Sequence, residues 1–403
     1  MTGPMTGSMS GPRLLFWVQH LLGIGHLRRT VTLSRALAAE GFAVTIVSGG
    51  LKLPGLDPGG AAFVQLPPAR AVDVFFKDLR AADGAPIDDG WRADRRARLL
   101  SLFARLRPDI LVTELFPFGR RQFRFELLPL LEAAQAARPR PLIACSVRDI
   151  LVQPPKEERR VEMLETARRF YDLILVHGDP SLVAFDETFP PVAAIADRIR
   201  YTGYVVDRAA GAAPGAAPGA APGAAEVLVS AGGGAVSEPL LRAALAARPL
   251  TPLADAPWRL LAGHNLPEAV LDELRGAAPA GVAVERARPD FPALLRNALL
   301  SVSQAGYNTV MEVLEAGCRA VVVPYAGGLE TEQTLRAERL AARGVLEILP
   351  EEALGPQALA ASVSRALARP PQRLAALDTG GTTATARLLR AALKARLDPR
   401  GSR

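Results

Sequence analysis

Short apolar runs alternate with longer stretches of helical periodicity along almost the whole chain. In the first half the runs are Leu14–Gln19, Ala43–Ser48, Ala62–Leu66, Ile110–Thr113, Leu142–Ser146, Leu173–His177 and Ile199–Gly203. Their length and their Val, Ile and Leu content predict buried strands. Between them, Arg28–Glu40, Asp94–Leu106, Arg124–Ala137 and Pro155–Phe170 carry helical spacing. In the first of these, Leu27, Val31, Leu33 and Leu37 fall near one face, and Gly41 suits the C-terminal cap. The second half repeats the scheme, with strands expected at Val227–Ala231, Arg259–Ala262, Val282–Glu285, Leu300–Ser303, Ala320–Pro324 and Val345–Ile348. Strand and helix in alternation predict parallel sheets covered on both faces. The fold class expected is therefore α/β, as two doubly wound, Rossmann-like domains facing a central cleft. Ligands in such sheets collect at the carboxyl ends of the strands.

The boundary between the halves is "AAGAAPGAAPGAAPGAA", Ala209–Ala225. A Gly-Ala-Ala-Pro repeat cannot bury a core, and its prolines keep it semi-extended. The organisation expected is a disordered tail over 1–12, a first domain over 13–205, a linker over 206–225 and a second domain over 226–398. The last helix of that second domain could pack back on the first. The tail "MTGPMTGSMSGP" lacks the charged and apolar regions of a signal peptide, and no apolar run reaches the length of a membrane span.

Composition sharpens the class. Of 403 residues, 49% are hydrophobic and 22% charged, which is globular. The net charge of +7 needs discounting, because Lys occurs only at 52, 77, 156 and 394 and Ala is abundant. An Arg/Ala coding bias explains this better than nucleic-acid binding. Aromatic residues are only 5%, and no basic run interleaves with stacking rings. A basic surface could still favour anionic substrates or an anionic membrane face. The segment Trp91–Pro108 is amphipathic and basic and could make peripheral membrane contact, although an ordinary domain helix is the simpler reading. Cys145 and Cys318 lie in or beside apolar runs without metal-ligand spacing. They read as free thiols in a reducing cytoplasm, where the protein is expected, at most peripheral to the inner membrane face.

Three stretches carry candidate chemistry. "HLLGIGHLRRT" (His20–Thr30) joins the first strand to its helix through Gly23 and Gly25. A dinucleotide fingerprint fails here: the third glycine is missing, and no acidic residue ends the Ala43–Ser48 strand. "SAGGG" places Gly232, Gly233 and Gly234 between a strand and a helix, either as a phosphate cradle or as a tight turn. "SVSQAGYNTVMEVLEAG" runs from a small-residue turn, Ser303–Gly306, into a helix with Asn308, Thr309 and Glu312. Glu312 could reach the hydroxyls of a sugar, though a lone Glu there would be an ordinary helix residue. Glu332 and Gln333 follow the next strand.

Taken together, Ser303, Gly306, Thr309, Glu312, Ala316, Gly317, Pro324, Glu332 and Gln333 resemble the pattern of GT-B glycosyltransferases. The branch is that of the MurG-type N-acetylglucosaminyltransferases, the glycosyltransferase family 28 C-terminal type, with its uncharacterised bacterial relatives. By that resemblance the helix dipole faces a diphosphate, Glu312 holds the ribose, and Glu332 and Gln333 contact the donor sugar. Arg288–Phe291 resembles the segment that reads the nucleobase, and "LAGHN", with His264, resembles the donor-side strand end. "LGIGHLRRT" is similar to the loop that carries the candidate general base, His26. His20 competes with it but reads equally as a turn histidine. His177 is favoured as structural or acceptor-side. Arg120 and Arg121 could meet an anionic acceptor, but a solvated helix start is the stronger reading.

The resemblance implies an inverting transfer from a nucleotide sugar, with UDP as the nucleotide, and with no metal and no cofactor. No Asp-x-Asp motif suggests a divalent site. The acceptor stays open among a glycan, a lipid-linked saccharide and a small metabolite. The alternatives are a nucleotide-sugar 2-epimerase of the same fold and a non-catalytic nucleotide-sugar-binding protein.

Overall fold

The computed structural model describes residues 11–53, 55–73, 78–152, 156–207, 225–231, 238–263, 266–288, 290–327, 331–369 and 377–397. The expected linker, apart from its two ends, the Gly232–Gly234 turn and His264 lie outside the described residues. The chain divides into two compact units. The first holds residues up to Pro180, then 184–205 and 378–403; the second holds 181–183 and 206–377.

The first unit is built on a seven-stranded parallel sheet. Its elements are β1 (Arg13–Val18), α1 (Gly25–Ala39), β2 (Ala43–Ser48), β3 (Ala62–Gln65), β4 (Ala69–Ala71), β5 (Leu79–Ala81), α2 (Asp89–Leu106), β6 (Ile110–Glu114), α3 (Arg124–Ala136), β7 (Leu142–Arg148), α4 (Glu157–Phe170), β8 (Leu173–His177), α5 (Phe185–Thr188) and β9 (Ile199–Tyr201). The strand order is β3-β2-β1-β6-β7-β8-β9. Successive side chains of a strand face opposite ways, and β1 uses both sets. Leu14, Phe16 and Val18 pack with Leu27, Val31 and Leu37 of α1, while Leu15 and Trp17 pack with Leu99, Leu102 and Leu127 of α2 and α3. This explains why the strands read as continuous apolar runs rather than as alternating ones.

Two expectations are corrected here. The first helix begins at Gly25, not Arg28, so His26 sits in its first turn rather than in a loop. The antiparallel pair β4–β5 was not foreseen, because three-residue strands leave no period to detect. Gly41 has φ +83° just past α1, the left-handed geometry that closes a helix cheaply only with glycine.

The second unit has a six-stranded sheet in the order β12-β11-β10-β13-β14-β15. It comprises β10 (Val227–Ser230), α6 (Glu238–Ala247), β11 (Trp258–Ala262), α7 (Glu268–Ala277), β12 (Val282–Arg286), α8 (Phe291–Asn297), β13 (Leu300–Gln304), α9 (Tyr307–Ala316), β14 (Ala320–Val323), α10 (Glu332–Ala342), β15 (Glu347–Ile348) and α11 (Pro356–Ala368). All its strand pairs are parallel. The final helix, α12 (Gly381–Leu397), packs in the first unit, where Ala386 and Leu389 join the α1 face and Arg396 pairs with Asp172 at 2.9 Å.

Each sheet has one place where the chain, having built strands in one direction, returns to build in the other. In the first sheet it lies between β1 and β6, and in the second between β10 and β13. Loops on either side of such a point diverge and leave a crevice at the strand ends.

Beside the first of these points a fully buried charge network braces the sheet. Arg95 of α2 donates to both Glu126 oxygens at 2.7 and 2.9 Å, to Gln19 Oε1 at 2.7 Å, and to the Gly49 and Pro67 carbonyls. Trp17 Nε1 also donates to Glu126, at 3.1 Å. A Cβ on Gly49 would sit 2.0 Å from the Arg95 guanidinium, so only glycine lets β2 end there. Arg95 and the apolar residues of α2 therefore face the core against α3, as in the ordinary domain helix that is the simpler reading. Among the described residues no helix is long and apolar enough to cross a membrane. Breaking a buried pair strands a charge, whereas an exposed helical pair contributes little. Glu126→Ala is expected to cost about 3–5 kcal/mol, and Arg98→Ala, in an exposed pair with Asp94, under about 1 kcal/mol. Urea unfolding of the full chain measures both.

Candidate active site

At the first switch point the end of β6 presents Glu114, buried to 1% exposure. Its Oε1 lies 3.0 Å from Nδ1 of His26 and also accepts from Arg29 Nη2. Its Oε2 accepts from the Ser146 hydroxyl at 2.7 Å. Ser146 Oγ is in turn 2.9 Å from His177 Nε2, and His177 Nδ1 is 2.8 Å from Thr202 Oγ1. One chain of buried polar atoms thus runs from α1 across the ends of β6, β7 and β8. Sequence reading missed Glu114, Arg29, Ser146 and Thr202. The available signal was a carboxylate closing an apolar strand, since a charge at a buried strand end needs a dedicated partner.

His26 keeps 11% of its side chain exposed, the only part of this chain that is open to solvent in any degree worth chemistry. Burial pushes its pKa well below the ordinary histidine value, and the positive charges of Arg120, Arg148 and Arg29 add to this. The ring is therefore neutral near pH 7. A carboxylate against Nδ1 holds the proton there and leaves Nε2 as the acceptor. That is the arrangement a general base requires.

The other first-unit residues are placed as follows. His20 is buried, with its ring against Gly50, where a Cβ would come within 2.2 Å of it. Burial first, and Arg120 second, lower its pKa to about 4. His177 is completely buried and also pushed well below its ordinary value by burial, with Arg29 adding to the shift. Gly23 is exposed, with open space where a side chain would begin, and Gly25 opens α1. Arg120 departs from the solvated helix start expected of it. Its backbone is left-handed at φ +60°, its Nε donates to the Gln19 carbonyl at 2.8 Å, and burial lowers its pKa to about 10. Arg121 does lie at the surface, paired with Glu162 at 3.0 Å.

At the second switch point the turn Ser303–Gly306 leads from β13 into α9. Gly306 is the N-cap, with φ −62° and no side-chain capping bond, and no acidic residue stands in the first turn. The first N–H groups of a helix lack intrahelical partners and carry its positive dipole end. A Cβ on Gly306 would meet nothing within 4 Å, so the open space is not there for the chain's own packing. Ser303 is wholly buried, and its hydroxyl has no hydrogen-bond partner. Asn308, Thr309 and Glu312 are half-buried along α9.

Glu332 has a duty other than the one expected of it. Glu332 is buried to 1% exposure and paired with Arg336 at 2.7 Å, instead of being offered outward. Arg336 also donates to the Ala305 carbonyl at 3.3 Å and lies 5.4 Å from the Tyr307 ring centre, so it ties α10 to the turn before α9. Arg288 is committed to Asp290 at 2.7 and 2.8 Å, and Phe291 is part of the core. Gln333 accepts from the Tyr325 N–H at 3.2 Å, which holds its side chain over the loop after β14. Cys145 and Cys318 carry free thiols that burial pushes up, to about 12 for Cys318, so neither is poised as a nucleophile.

Known proteins match this layout. Residues 228–391 match the glycosyltransferase family 28 C-terminal domain. The match falls on the second unit and runs on into α12. Curated relatives include UDP-N-acetylglucosamine--N-acetylmuramyl-(pentapeptide) pyrophosphoryl-undecaprenol N-acetylglucosamine transferases. That of Mesorhizobium japonicum is 38% identical over 28% of this chain and 31% of its own length. That of Ralstonia nicotianae is 32% identical over 47% of this chain and 52% of its own length. The chain thus spans about half or less of the curated relatives it matches. Among solved structures, the calicheamicin glycosyltransferase CalG4 superposes with a TM-score of 0.59 at 20% identity, over 95% of this chain and 94% of its own. MurG of Acinetobacter baumannii superposes at 0.55 and 16% identity, over 94% and 99%. Together they establish the GT-B fold, two Rossmann-like domains in one chain.

Three histidines held neutral by burial make stability depend on pH. Each has a folded pKa below its unfolded value near 6.5, so the unfolded chain binds more protons between the two values. Their contribution is complete above about pH 6.5 and is lost as the pH falls towards 4. For His20 alone the loss is on the order of 3 kcal/mol. Urea midpoints measured from pH 7.5 to 4.5 should fall, and His20→Leu should flatten that dependence.

Proposed function

We propose that the chain is a glycosyltransferase that moves a sugar from a nucleotide diphosphate donor, UDP-linked, to an acceptor hydroxyl with inversion and without a metal. The observation that carries this reading is the His26–Glu114 contact at 3.0 Å, in a GT-B fold whose second domain matches the C-terminal domain of family 28. Nε2 of His26 takes the acceptor proton as the oxygen attacks the anomeric carbon. Glu114 holds the ring in the needed tautomer and stabilises the imidazolium that forms, as a carboxylate does in other base dyads.

The leaving diphosphate falls to the start of α9. The start of a helix dipole, a buried Ser303 hydroxyl with no hydrogen-bond partner among the described residues, and the space at Gly306 fit an anion there. Glu312 lies on the same helix face as Asn308, one turn further in, and is our candidate for the ribose hydroxyls. Glu332 acts on the donor site from beneath, through Arg336, rather than by touching the sugar.

For the acceptor we propose a molecule that carries negative charge. Arg29, Arg120 and Arg148 all bring positive potential to the His26 ring. The acceptor printed in the names of the curated relatives, a pyrophosphoryl-undecaprenol, has such a charge and a lipid. A lipid-linked saccharide would bring this chain to a membrane surface.

Turnover can be followed as UDP release from UDP-N-acetylglucosamine, with water as the default acceptor and lipid-linked saccharides added in turn. His26→Ala should lower kcat by roughly 10²–10⁴-fold with donor KM little changed. Glu114→Gln should lose most of the same factor. Because the His26 pKa is pushed down, kcat/KM should be flat above about pH 6.5 and decline only well below it. A kcat that survives His26→Ala would overturn the base assignment.

Gly306→Ala separates binding from folding. Its φ suits alanine and its Cβ would meet no protein atom. Stability should therefore change by less than about 0.5 kcal/mol. UDP affinity, read by calorimetry, should fall at least tenfold if the diphosphate approaches that backbone.

A further inference from the structure

The chain of contacts behind Glu114 does more than fill the core. Glu114, ionised as the partner of Arg29, can only accept hydrogen bonds. Ser146 has a single hydrogen, and its oxygen stands 2.7 Å from Glu114 Oε2, so that hydrogen points to the carboxylate. The Ser146 oxygen must then accept from His177 Nε2, 2.9 Å away. A neutral His177 with its proton on Nε2 presents Nδ1 as an acceptor, and Thr202 Oγ1, whose one hydrogen is also within reach of the Gly203 carbonyl at 2.9 Å, stands there at 2.8 Å. The donors run in one direction from β8 to Glu114, where they meet the donors that come from α1. All four inner groups are buried, with Glu114 and Ser146 at 1%, and His177 and Thr202 at 0% and 1% exposure.

We propose that His177 is a positioning residue for His26, acting through Ser146 and Glu114 to set which His26 nitrogen holds the proton and how strongly Glu114 pulls on it. His177 reaches no ligand itself. By donating to Ser146 it fixes the rotor of a hydroxyl that would otherwise have several settings. Ser146, so fixed, withdraws charge from Oε2 and moderates the pull of Oε1 on the His26 Nδ1 proton. This rests on the reading of His26 as the base.

The charged and titratable groups that face His26 are Glu114 from β6, Arg29 from α1, Arg120 from the turn after β6, Arg148 from β7 and His20 from the segment after β1. Only Glu114 attracts the imidazolium. Removing the Ser146 donor sharpens that one attraction and leaves the arginines as they are. The sign follows: the His26 titration midpoint should rise when Ser146 or His177 is lost.

The chain has four histidines, so the full-length protein labelled with ¹⁵N-histidine gives a readable set of ring signals. At pH 7.5 the wild type should show His26 protonated on Nδ1 and His177 on Nε2. Ser146→Ala and His177→Leu should move the His26 midpoint up by roughly half a unit and mix its tautomers. His177→Gln, whose amide N–H can donate to Ser146, should restore the wild-type signals. A purely structural role would leave the His26 signals of folded His177→Leu unchanged, and that outcome overturns the proposal. So does finding the His177 proton on Nδ1 in the wild type, which needs no variant. The ring signals and turnover fail separately. If His26→Ala keeps its kcat while the rings respond as stated, the base assignment falls and the network stands. If His26→Ala is inactive and the rings do not respond, the reverse holds.

Discussion

A single buried carboxylate organises the first domain. Glu114 ends the central strand β6 with essentially no solvent, so its charge has to be met by protein. Arg29 and His26 reach it from α1, and Ser146 reaches it from β7. These contacts set the start of α1 against the strand ends and decide which way the His26 ring faces. A helix that begins at Gly25 without a side-chain cap is held at its first turn by this charge rather than by local capping.

The same economy appears beside it. Arg95 fills the space at the end of β2, and Gly49 and Gly50 are the residues that let a guanidinium and the His20 ring approach the backbone. Two buried networks, one on Glu126 and one on Glu114, lie on either side of β1. In each, both carboxylate oxygens meet named donors, which helps a buried charge to specify structure rather than destabilise it. The first shapes the core; the second turns one edge of one ring outward.

The second domain solves the opposite problem. Where the first domain gathers cations around a buried carboxylate, the turn before α9 runs into a helix with no acid in its first turn. Among the described residues the Ser303 hydroxyl has no hydrogen-bond partner, and a Cβ on Gly306 would meet no atom within 4 Å. Arg336 is the cation nearest that turn among the contacts described, and its pairing with Glu332 keeps it beneath the backbone as a brace.

The apolar runs alone determined the two-domain α/β layout. Parallel strands buried on both faces must be hydrophobic along their length, and most predicted strands stand within a residue or two of where they are found. The turn into α9 and its glycine were legible for a similar reason, since strand, small-residue turn and helix are contiguous in the chain. What only the tertiary structure decided is which distant side chains meet. Glu114 lies 88 residues from His26, and Ser146 lies 31 from His177. No local period links them, because sheet order brings β1, β6, β7 and β8 together. Helix starts and the direction of Arg120 and Glu332 were equally out of reach. Each is set by the free energy of burying a charge, and that depends on which partners the fold supplies.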